Sequence, residues 1–256
     1  MRTKNQKIRD FVLSAISVIV LIALWCAVST SKPDFFPTPM ATIERLVKLF
    51  EKPIMKVSIW GHIFASLKRV LFAIGASIII GVGLGLIMGW NKKVRAAIYP
   101  IIMTLRPIPP IAWIPLIILL FGVGEFPKVL LVFIGSVFPI LLNTISAVSM
   151  VDDMYLKVGK VYKANTWQTL HHIVFPASMP TILAGIKIAI SSGWMVVVAA
   201  EMLASKSGLG FLITRGRDSY DVALIMVAMI LIGIVGAALS IVFSFIERRL
   251  CGWMSS

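Results

Sequence analysis

Three charged residues stand inside or at the end of long apolar runs: Arg106, Lys187 and Glu201. A charge at the centre of a bilayer costs about 2.5–3.5 kcal/mol on translocon scales, so these side chains should face protein or water rather than lipid. Two roles are open for Arg106. It is either a pathway cation that contacts an anionic solute or, as we favour, a partner for backbone carbonyls that Pro109 and Pro110 leave free. These charged side chains could therefore form ion pairs, or a cation among them could contact an anion.

The other two charges have alternatives of their own. Lys187 either lines the same pathway or extends its ammonium group to the membrane interface. Glu201 is either a gate or a salt-bridge partner, and packing beside Lys206 or Arg215 is favoured over contact with a substrate. With two tryptophans of the same runs, the candidate residues of a pathway or gate are Arg106, Pro109, Pro110, Trp113, Lys187, Trp194 and Glu201.

A polar, basic segment, 151–180, separates two apolar runs. Asp152 and Asp153 are suited to cap the start of a helix and to meet the positive end of its dipole. An apolar face follows at helical spacing, made of Tyr155, Val158, Val161 and Tyr162. Beside it lies a basic stripe, made of Lys157, Lys160 and Lys163. Such a long amphipathic connection suggests a docking element for another protein, with a hairpin on the membrane surface as the alternative.

The second half of this segment predicts a turn and another short helix. Asn165 can take a left-handed conformation, Thr166 can cap the second helix, and Pro176 should end it. The candidate docking residues are Met154, Tyr155, Lys157, Val158, Val161, Tyr162, Lys163, Ala164, Trp167 and Gln168.

Other combinations of residues that could form a metal site or a catalytic site do not meet the requirements of such a site. His171 and His172 are adjacent, so they cannot share one helix face as metal ligands, and Asp152 with Asp153 lacks a second acidic pair. Zinc-protease, serine-hydrolase and P-loop motifs are absent from the sequence. The chain therefore cannot hydrolyse ATP by a P-loop mechanism, and no metal site is predicted.

The composition decides which elements must position these residues. Apolar residues make up 59% of the chain and charged residues 14%, whereas soluble domains have about a quarter charged residues. An integral membrane protein of all-α class follows, and 1–256 is predicted to be a single domain. About 20 apolar residues cross a bilayer as a helix, and the segments that qualify are 11–28, 70–90, 97–121, 129–150, 180–200 and 222–246. The first is interpreted as a retained span rather than a signal peptide.

The net charge of +14 lies mostly between the apolar runs, where anionic headgroups attract it, so nucleic-acid binding is not predicted. Lys and Arg near the spans nearly balance across the membrane when Lys68 and Arg69 are counted between the first two spans. Dense clusters at the N-terminus, beginning with Arg2, and at 91–95 favour a cytoplasmic N-terminus. An even number of spans then places the C-terminus on the same side.

Two of the predicted spans and one connecting segment contain local sequence features that predict their structure. Gly81, Gly85 and Gly89 make a smooth stripe for a close helix contact, favoured within one subunit over an interface between subunits. The prolines of 105–115 should break the third span, and broken helices at membrane depth generally line a cavity. The segment 42–50 predicts a short amphipathic helix at the interface.

The sequence resembles the permease subunits of bacterial ABC importers. Their signature is Glu-Ala-Ala, a Gly four residues on, and an Ile-x-Leu-Pro-like end; 175–180 is similar to the end and 164–168 to the middle. Four further stretches are similar to the nitrate, sulfonate and taurine branch: 105–115, 121–125, 199–203 and 207–210. The similarity spans about residues 33–250, and the Arg-Pro-x-Pro-Pro stretch is its most branch-specific part.

The sequence departs from the family at the docking signature. Lys157, Val158 and Gly159 stand where the family has Glu-Ala-Ala, and Lys163 stands where it has Gly. In the family that Glu is thought to pair with a basic residue of the ATPase subunit, which a lysine cannot do. We hypothesise that the cognate ATPase presents an acidic or neutral groove to the basic stripe.

The resemblance implies a six-span permease subunit with a cytoplasmic coupling loop, 151–178, between spans four and five. It would work in the bacterial inner membrane as a homodimer, or with a related second permease subunit. Two ATPase subunits, which bind ATP and Mg, and an extracytoplasmic substrate-binding protein would complete the importer. This chain would need no cofactor of its own and would not be an enzyme.

The resemblance also suggests the cargo. A small anion such as a sulfonate, taurine or nitrate is favoured, and a vitamin precursor or another small organic molecule is the alternative. An ion-coupled secondary transporter is more remote, because it would favour a buried carboxylate and only Glu201 approaches that. A membrane-embedded enzyme would need convergent catalytic groups, which the sequence does not supply.

Overall fold

The computed structural model describes residues 4–32 and 35–251, so Arg2 lies outside the described residues. The described residues form helices joined by turns, with one isolated β-bridge between Ile54 and Val57. In chain order the α-helices are α1 (Lys4–Ser31), α2 (Pro39–Glu51), α3 (Ile59–Trp90), α4 (Lys92–Leu105), α5 (Ile114–Phe121), α6 (Glu125–Ser149), α7 (Asp153–Val161), α8 (Thr166–Thr169), α9 (Phe175–Ala204), α10 (Leu209–Asp218) and α11 (Val222–Leu250). A 3-10 turn, Pro110–Trp113, precedes α5, and a π-helix, Leu170–Val174, joins α8 to α9.

Five helical segments among the described residues are long and apolar enough to cross a bilayer, namely Val12–Ser31, Ile59–Trp90, Glu125–Ser149, Thr166–Leu203 and Val222–Leu250. A sixth would consist of Lys92–Leu105 with Pro110–Phe121, which are bent against each other by 87°. The all-α class and the apolar segments predicted from the sequence are confirmed. The third predicted span, 97–121, is not one straight helix.

Prolines explain this break. Pro107 and Pro109 have no N–H to donate to the carbonyls of Met103 and Leu105, so the helical hydrogen-bond ladder cannot continue. A turn replaces it, in which Ile108 N–H donates to the Leu105 carbonyl at 3.1 Å. The chain then restarts as the 3-10 turn, with Pro110 in its first positions. The break predicted from the proline spacing is present.

Two membrane helices begin earlier than their apolar runs. α3 begins at Ile59, so Arg69 lies within a helix, and counting it between spans was wrong. Pro176 occupies the first turn of α9, so the prediction that it ends the preceding helix was also wrong. The π-helix closes with Phe175 N–H donating to the Leu170 carbonyl, and Pro176 follows within the continuous helical segment Thr166–Leu203.

The chain divides into two compact units. The first consists of Met1–Ile59 and Leu212–Leu231, and the second of Trp60–Phe211 and Ile232–Ser256. Within the first unit, Arg45 Nε lies 2.6 Å from Asp221 Oδ2, and α2 extends the amphipathic helix predicted over 42–50. The single domain predicted for 1–256 stays a prediction.

The core of the second unit is formed where α6 packs against α9. Buried side chains of both helices meet there, namely Ile140, Ala147, Ile182, Leu183, Ile186 and Ala189. Burial of apolar surface at about 25 cal/mol per Å² holds such packing together in water, whereas in lipid it rests on close contact. The α6–α9 pair is therefore the frame on which the polar groups of this unit are placed.

The glycine stripe of α3 lies against α6 of the same chain. A Cβ added at Gly85 would lie 2.5 Å from Thr144 Cβ, and one added at Gly89 would lie 2.5 Å from Val148 Cβ. Gly81 faces the same helix, with Ile140 Cγ2 at 3.0 Å from its added Cβ. The absence of side chains therefore lets the two backbones approach closely within one subunit.

Candidate functional site

An ionic cluster, made of Arg69, Glu125, Lys128 and Glu201, joins α3, α6 and α9. Arg69, Lys128 and Glu201 are buried, whereas Glu125 is exposed at its edge. We call it the buried ionic cluster. Arg69 donates from Nε and Nη2 to the two oxygens of Glu125 at 2.6 and 2.8 Å. Its Nη1 donates to Glu201 Oε1 at 2.6 Å, and Lys128 Nζ donates to Glu125 Oε1 at 2.7 Å. Two cations face two carboxylates, so the cluster is electrically balanced, as burial of charge requires.

The same cluster holds the turn between α9 and α10. Arg69 Nη1 donates to the Ser207 carbonyl at 2.9 Å, and Gly210 N–H donates to Glu201 Oε2 at 3.0 Å. Ser66 bridges both sides, because its Oγ donates to Glu201 Oε2 at 2.9 Å and accepts from Leu209 N–H at 2.9 Å. The cluster therefore ties the start of α10 to α3.

Gly208 makes this turn possible. Its φ of +116° lies in a region that L side chains rarely adopt. An added Cβ would also collide with the Glu201 carboxylate. Gly208 N–H donates to His62 Nδ1 at 3.1 Å, so the turn needs glycine for both its backbone conformation and its contact with the cluster.

Sequence reasoning missed most of this cluster. It offered Glu201 as a salt-bridge partner but placed it beside Lys206 or Arg215; the ionic partner is Arg69. The pair is separated by 132 positions, so no local spacing could show it. The i,i+3 spacing of Glu125 and Lys128 was the available signal.

Arg106 lies at the helix break, as the residue that follows α4. Its side chain is exposed and, among the described residues, makes no hydrogen bond or ion pair. The role as a partner of freed carbonyls is therefore not the arrangement observed. Pro109 and Pro110 begin the 3-10 turn, and Trp113 at its end has a buried Nε1 without a hydrogen-bond partner in the part of the chain that the structure describes.

Lys187 and Trp194 on α9 have structural partners on α11. Lys187 Nζ lies 3.2 Å from Glu247 Oε2, with both side chains partly exposed. Trp194 is buried and donates its Nε1–H to the Ile232 carbonyl at 3.1 Å. The structure therefore brings these two pathway candidates to the α9–α11 contact and not to Arg106.

The docking segment folds as two short helices. Asp152 caps α7 and accepts from Met154 N–H at 2.8 Å. Asn165 caps α8 in a capping box with Gln168, whose amide accepts from Asn165 N–H at 2.9 Å. Two details of the predicted turn were wrong: Thr166 is not the cap, and the left-handed residue is Lys163, with φ 55°, rather than Asn165.

One side of α7 packs inward and the other stays exposed. Gly159 is buried, and a Cβ there would lie 2.9 Å from Ile173 Cδ1 of the π-helix. The outward face carries large apolar side chains that are 48–82% exposed, namely Met154, Tyr155, Val158, Val161, Tyr162 and, from α8, Trp167. We call these six residues the docking face. Exposed apolar side chains of this kind are typical of a contact with another protein or with a membrane surface.

A cavity lined by charged side chains lies beside the docking face. It has a volume of about 460 Å³ and is lined by Asp153, Lys157, Lys160 and Thr169, among others. Lys157, Lys160 and Lys163 are all exposed. Since Asp153 provides one negative charge against this stripe, the surface next to the apolar face is positive.

Cysteine and metal chemistry find little support in the described geometry. No three His, Cys, Asp or Glu side chains converge among the residues that the structure describes. Burial, and next the Glu247 carboxylate, raise the pKa of the Cys251 thiol, so this thiol stays neutral at physiological pH.

Comparison with known proteins shows which family and which relatives this sequence is similar to. Residues 77–255 match the family described as binding-protein-dependent transport system inner membrane component. Taurine transport system permease protein TauC of Escherichia coli (strain K12) is 30% identical over 249 residues, which cover 96% of this chain and 90% of that protein. Nitrate import permease protein NrtB of Synechocystis sp. is 32% identical over 238 residues, 91% of this chain and 86% of that one.

Two further comparisons agree. Bicarbonate transport system permease protein CmpB of Synechococcus elongatus is 31% identical and covers 95% of this chain and 91% of its own length. A solved structure titled as an inward-facing conformation of the MetNI methionine ABC transporter superposes with a TM-score of 0.65 at 16% identity, over 73% of this chain and 93% of that one. At that identity the superposition shows the fold alone.

Proposed function

This chain belongs to the family of binding-protein-dependent transport system inner membrane components, and we propose that it forms the translocation pathway of an ATP-driven importer for a small anion. It is the permease subunit of an ABC importer of the nitrate, sulfonate and taurine branch. The observation that carries the proposal is the exposed docking face on α7 and α8, a surface that needs a partner, in a chain without a P-loop.

ATP hydrolysis belongs to that partner. Two ATPase subunits bind ATP and Mg, and each contacts the docking face of one permease subunit. Because Lys157 and Lys160 line a cavity next to the apolar face, the ATPase groove is apolar at its centre and acidic or neutral at the lysine edge. This polarity replaces the Glu-to-basic contact of the wider family.

A continuous helical path links the docking face to the buried ionic cluster. The segment Thr166–Leu203 includes α8, the π-helix and most of α9, and at 1.5 Å per residue it is about 55 Å long. Trp167 lies near one end and Glu201 near the other. Movement of α8 by a closing ATPase therefore displaces α9 as one element, and the cluster marks the end that opens or closes.

The cargo follows from the chemistry shared by the relatives. Relatives of this chain are named for transport of taurine, nitrate, aliphatic sulfonates and bicarbonate, and each of these carries an anionic oxygen group. A substrate-binding protein delivers the anion on the extracytoplasmic side, and two permease copies enclose the pathway. A vitamin precursor or another small organic molecule is the second candidate cargo.

The chain crosses the bacterial inner membrane several times, with both termini and α7 on the cytoplasmic side. The N-terminal and 91–95 basic clusters support this orientation. An ion-coupled secondary carrier is disfavoured, because the buried Glu201 carboxylate is occupied by Arg69, Ser66 and Gly210 rather than free to exchange an ion.

The test is purification of the tagged chain in a mild detergent, followed by mass spectrometry and by uptake in proteoliposomes. We expect a P-loop ATPase in about equal amount and uptake of an anion that requires ATP and the binding protein. Recovery of the chain alone, with transport driven by an ion gradient and no ATP, would refute the proposal.

A further inference from the structure

Two arginine side chains line one small cavity beside α4. The cavity has a volume of about 190 Å³, and its lining includes Arg95, Tyr99, Met103, Arg106, Ile145 and Ser146. We call it the arginine cavity. Arg95 and Arg106 are eleven positions apart, which is close to three helical turns, so they share one face of α4 and its cap.

We propose that the arginine cavity binds a small oxyanion through the guanidinium groups of Arg95 and Arg106. The inference deepens the proposed function, on which it rests for the transported anion as one source of that ligand. An anionic lipid headgroup is the other source of the same chemistry. The geometry of the site argues for an anion in either case.

The first argument is charge balance. Among the described residues, the cations buried within the second unit are paired with carboxylates, as Arg69 is with Glu125 and Glu201. Arg106 has no such partner among the residues described, and no carboxylate lines the arginine cavity. Two guanidinium groups that line one cavity without a carboxylate make the local electrostatic potential positive, and a positive potential attracts an anion.

The second argument is that α4 adds further positive potential. Its sequence contains Lys92, Lys93 and Arg95 in the first turns and no acidic residue. The positive end of the helix dipole lies at the same end. This potential acts at the Arg95 end of the cavity, because Arg106 follows the last residue of α4 at the opposite end of the dipole. The attraction for an anion is therefore strongest near Arg95.

The third argument is that Arg95 is held in place. Its Nη1 donates to Ser149 Oγ at 3.0 Å, and its guanidinium carbon lies 5.4 Å from the centre of the Tyr99 ring. These contacts order the side chain but neutralise none of its charge. An ordered planar guanidinium can bind two oxygens of a nitrate, sulfonate or phosphate group at once.

The size and lining of the cavity limit the ligand. Drug-sized ligands occupy pockets of about 300–1,000 Å³, and the arginine cavity is smaller. Besides the two arginines, the lining includes the polar residues Tyr99 and Ser146. A compact anion therefore fits better than a large neutral organic molecule.

The test uses the full chain in phosphatidylcholine nanodiscs, with ethanesulfonate and nitrate as probes and choline as the cationic control. We expect both anions to bind and choline not to bind in isothermal titration calorimetry. Because each substitution removes a charge-assisted hydrogen bond, Arg95→Gln and Arg106→Gln should each weaken binding by about tenfold or more. Arg106→Lys, which keeps the charge but loses the planar fork, should weaken it less.

A matched control is available on α11. Arg249 also lies over an aromatic ring, with 5.2 Å from its guanidinium carbon to the Phe245 centre, but it is not part of the arginine cavity. Arg249→Gln should leave binding unchanged. Equal binding by wild type, Arg95→Gln and Arg106→Gln would overturn the inference, as would a loss of the same size in Arg249→Gln.

A second arm separates the two sources of the anion. In nanodiscs that contain phosphatidylglycerol, native mass spectrometry would count retained lipids. Lipid retention that is lost in Arg95→Gln and Arg106→Gln, without ethanesulfonate or nitrate binding, assigns the site to a headgroup. Retention that survives both substitutions, or binding of neither anion nor lipid, refutes the site. These assays need no ATPase, so they fail or succeed independently of the proposed function.

Discussion

Arg69 Nη1 lies 2.6 Å from Glu201 Oε1, and the two side chains are only 3% and 0% exposed. A fully desolvated pair of this kind is weak evidence of stability by itself, because desolvation offsets much of the attraction. The structural role of the pair follows from the elements that it connects. The pair joins the far end of α9 to α3 and, through Ser207 and Gly210, to the turn that starts α10.

Removal of one partner should destabilise the protein strongly. Arg69→Met leaves the buried Glu201 carboxylate without its cationic partner, and the expected cost is about 3–5 kcal/mol. Glu201→Leu should cost less, because Arg69 keeps its two hydrogen bonds to Glu125. The double variant should recover part of this loss, because Glu125 and Lys128 remain paired with each other. Thermal unfolding of the four proteins in detergent measures the coupling. Additive losses in the double variant would show that the two residues do not depend on each other.

Gly208→Ala should disrupt the same turn by a different route. A left-handed backbone costs a non-glycine residue about 1–2 kcal/mol, and the added Cβ would displace the Glu201 carboxylate. We expect a lower melting temperature and loss of transport. Gly75→Ala is the control, because outside its own stretch of helix no atom of the described residues lies within 4 Å of a Cβ at that position. A Gly208→Ala protein as stable as wild type would contradict this account of the turn.

Val161→Asp should uncouple the permease from its ATPase without unfolding it. Val161 is 79% exposed on the docking face, so the folded chain loses little when it changes, whereas an apolar contact with the partner would acquire a buried charge. Co-purification of the ATPase should fall while the melting temperature stays unchanged. Tyr220→Asp, at a 93% exposed position outside the docking face, should have no effect on co-purification. Normal association of Val161→Asp would exclude this face as the contact.

Lys157→Glu tests the polarity of the ATPase groove. If that groove is acidic at the lysine edge, the reversed charge should lower substrate-stimulated ATP hydrolysis, and the defect should shrink as salt screens the repulsion. The measurement is ATPase activity of the reconstituted complex over a range of salt concentrations. Lys52→Glu, an exposed lysine elsewhere, serves as the control. Activity that rises in Lys157→Glu would indicate a basic groove, as in the wider family.

Some elements follow from local sequence alone. The apolar runs predict membrane helices because each carries enough consecutive apolar residues to cross a bilayer. The proline spacing after Leu105 predicts the break, since prolines cannot donate to the ladder. Asp152 caps α7 as its sequence position suggests. In each case the cause lies within a few residues of its effect.

The starts of α3 and α9 were harder to predict. The start of α3 carries Lys68 and Arg69, two charges that lead a hydropathy argument to begin the span after them. In the structure Ser66 and Arg69 hydrogen-bond Glu201 of α9, so these polar side chains are accommodated within the helix. Pro176 was taken as a stop signal, but the helix continues through it directly after the π-helix. Tertiary and register effects of this kind are not visible in a local window.

The sequence by itself determined the all-α membrane class, the amphipathic docking segment and the resemblance to importer permeases, because these depend on composition, periodicity and short motifs. Only the tertiary structure decided which charges meet. Glu201 pairs with Arg69 across 132 positions, Lys187 pairs with Glu247, and Arg106 shares a cavity with Arg95. Ion pairing depends on distance in space and on burial, and the packing of α3, α6 and α9 sets both.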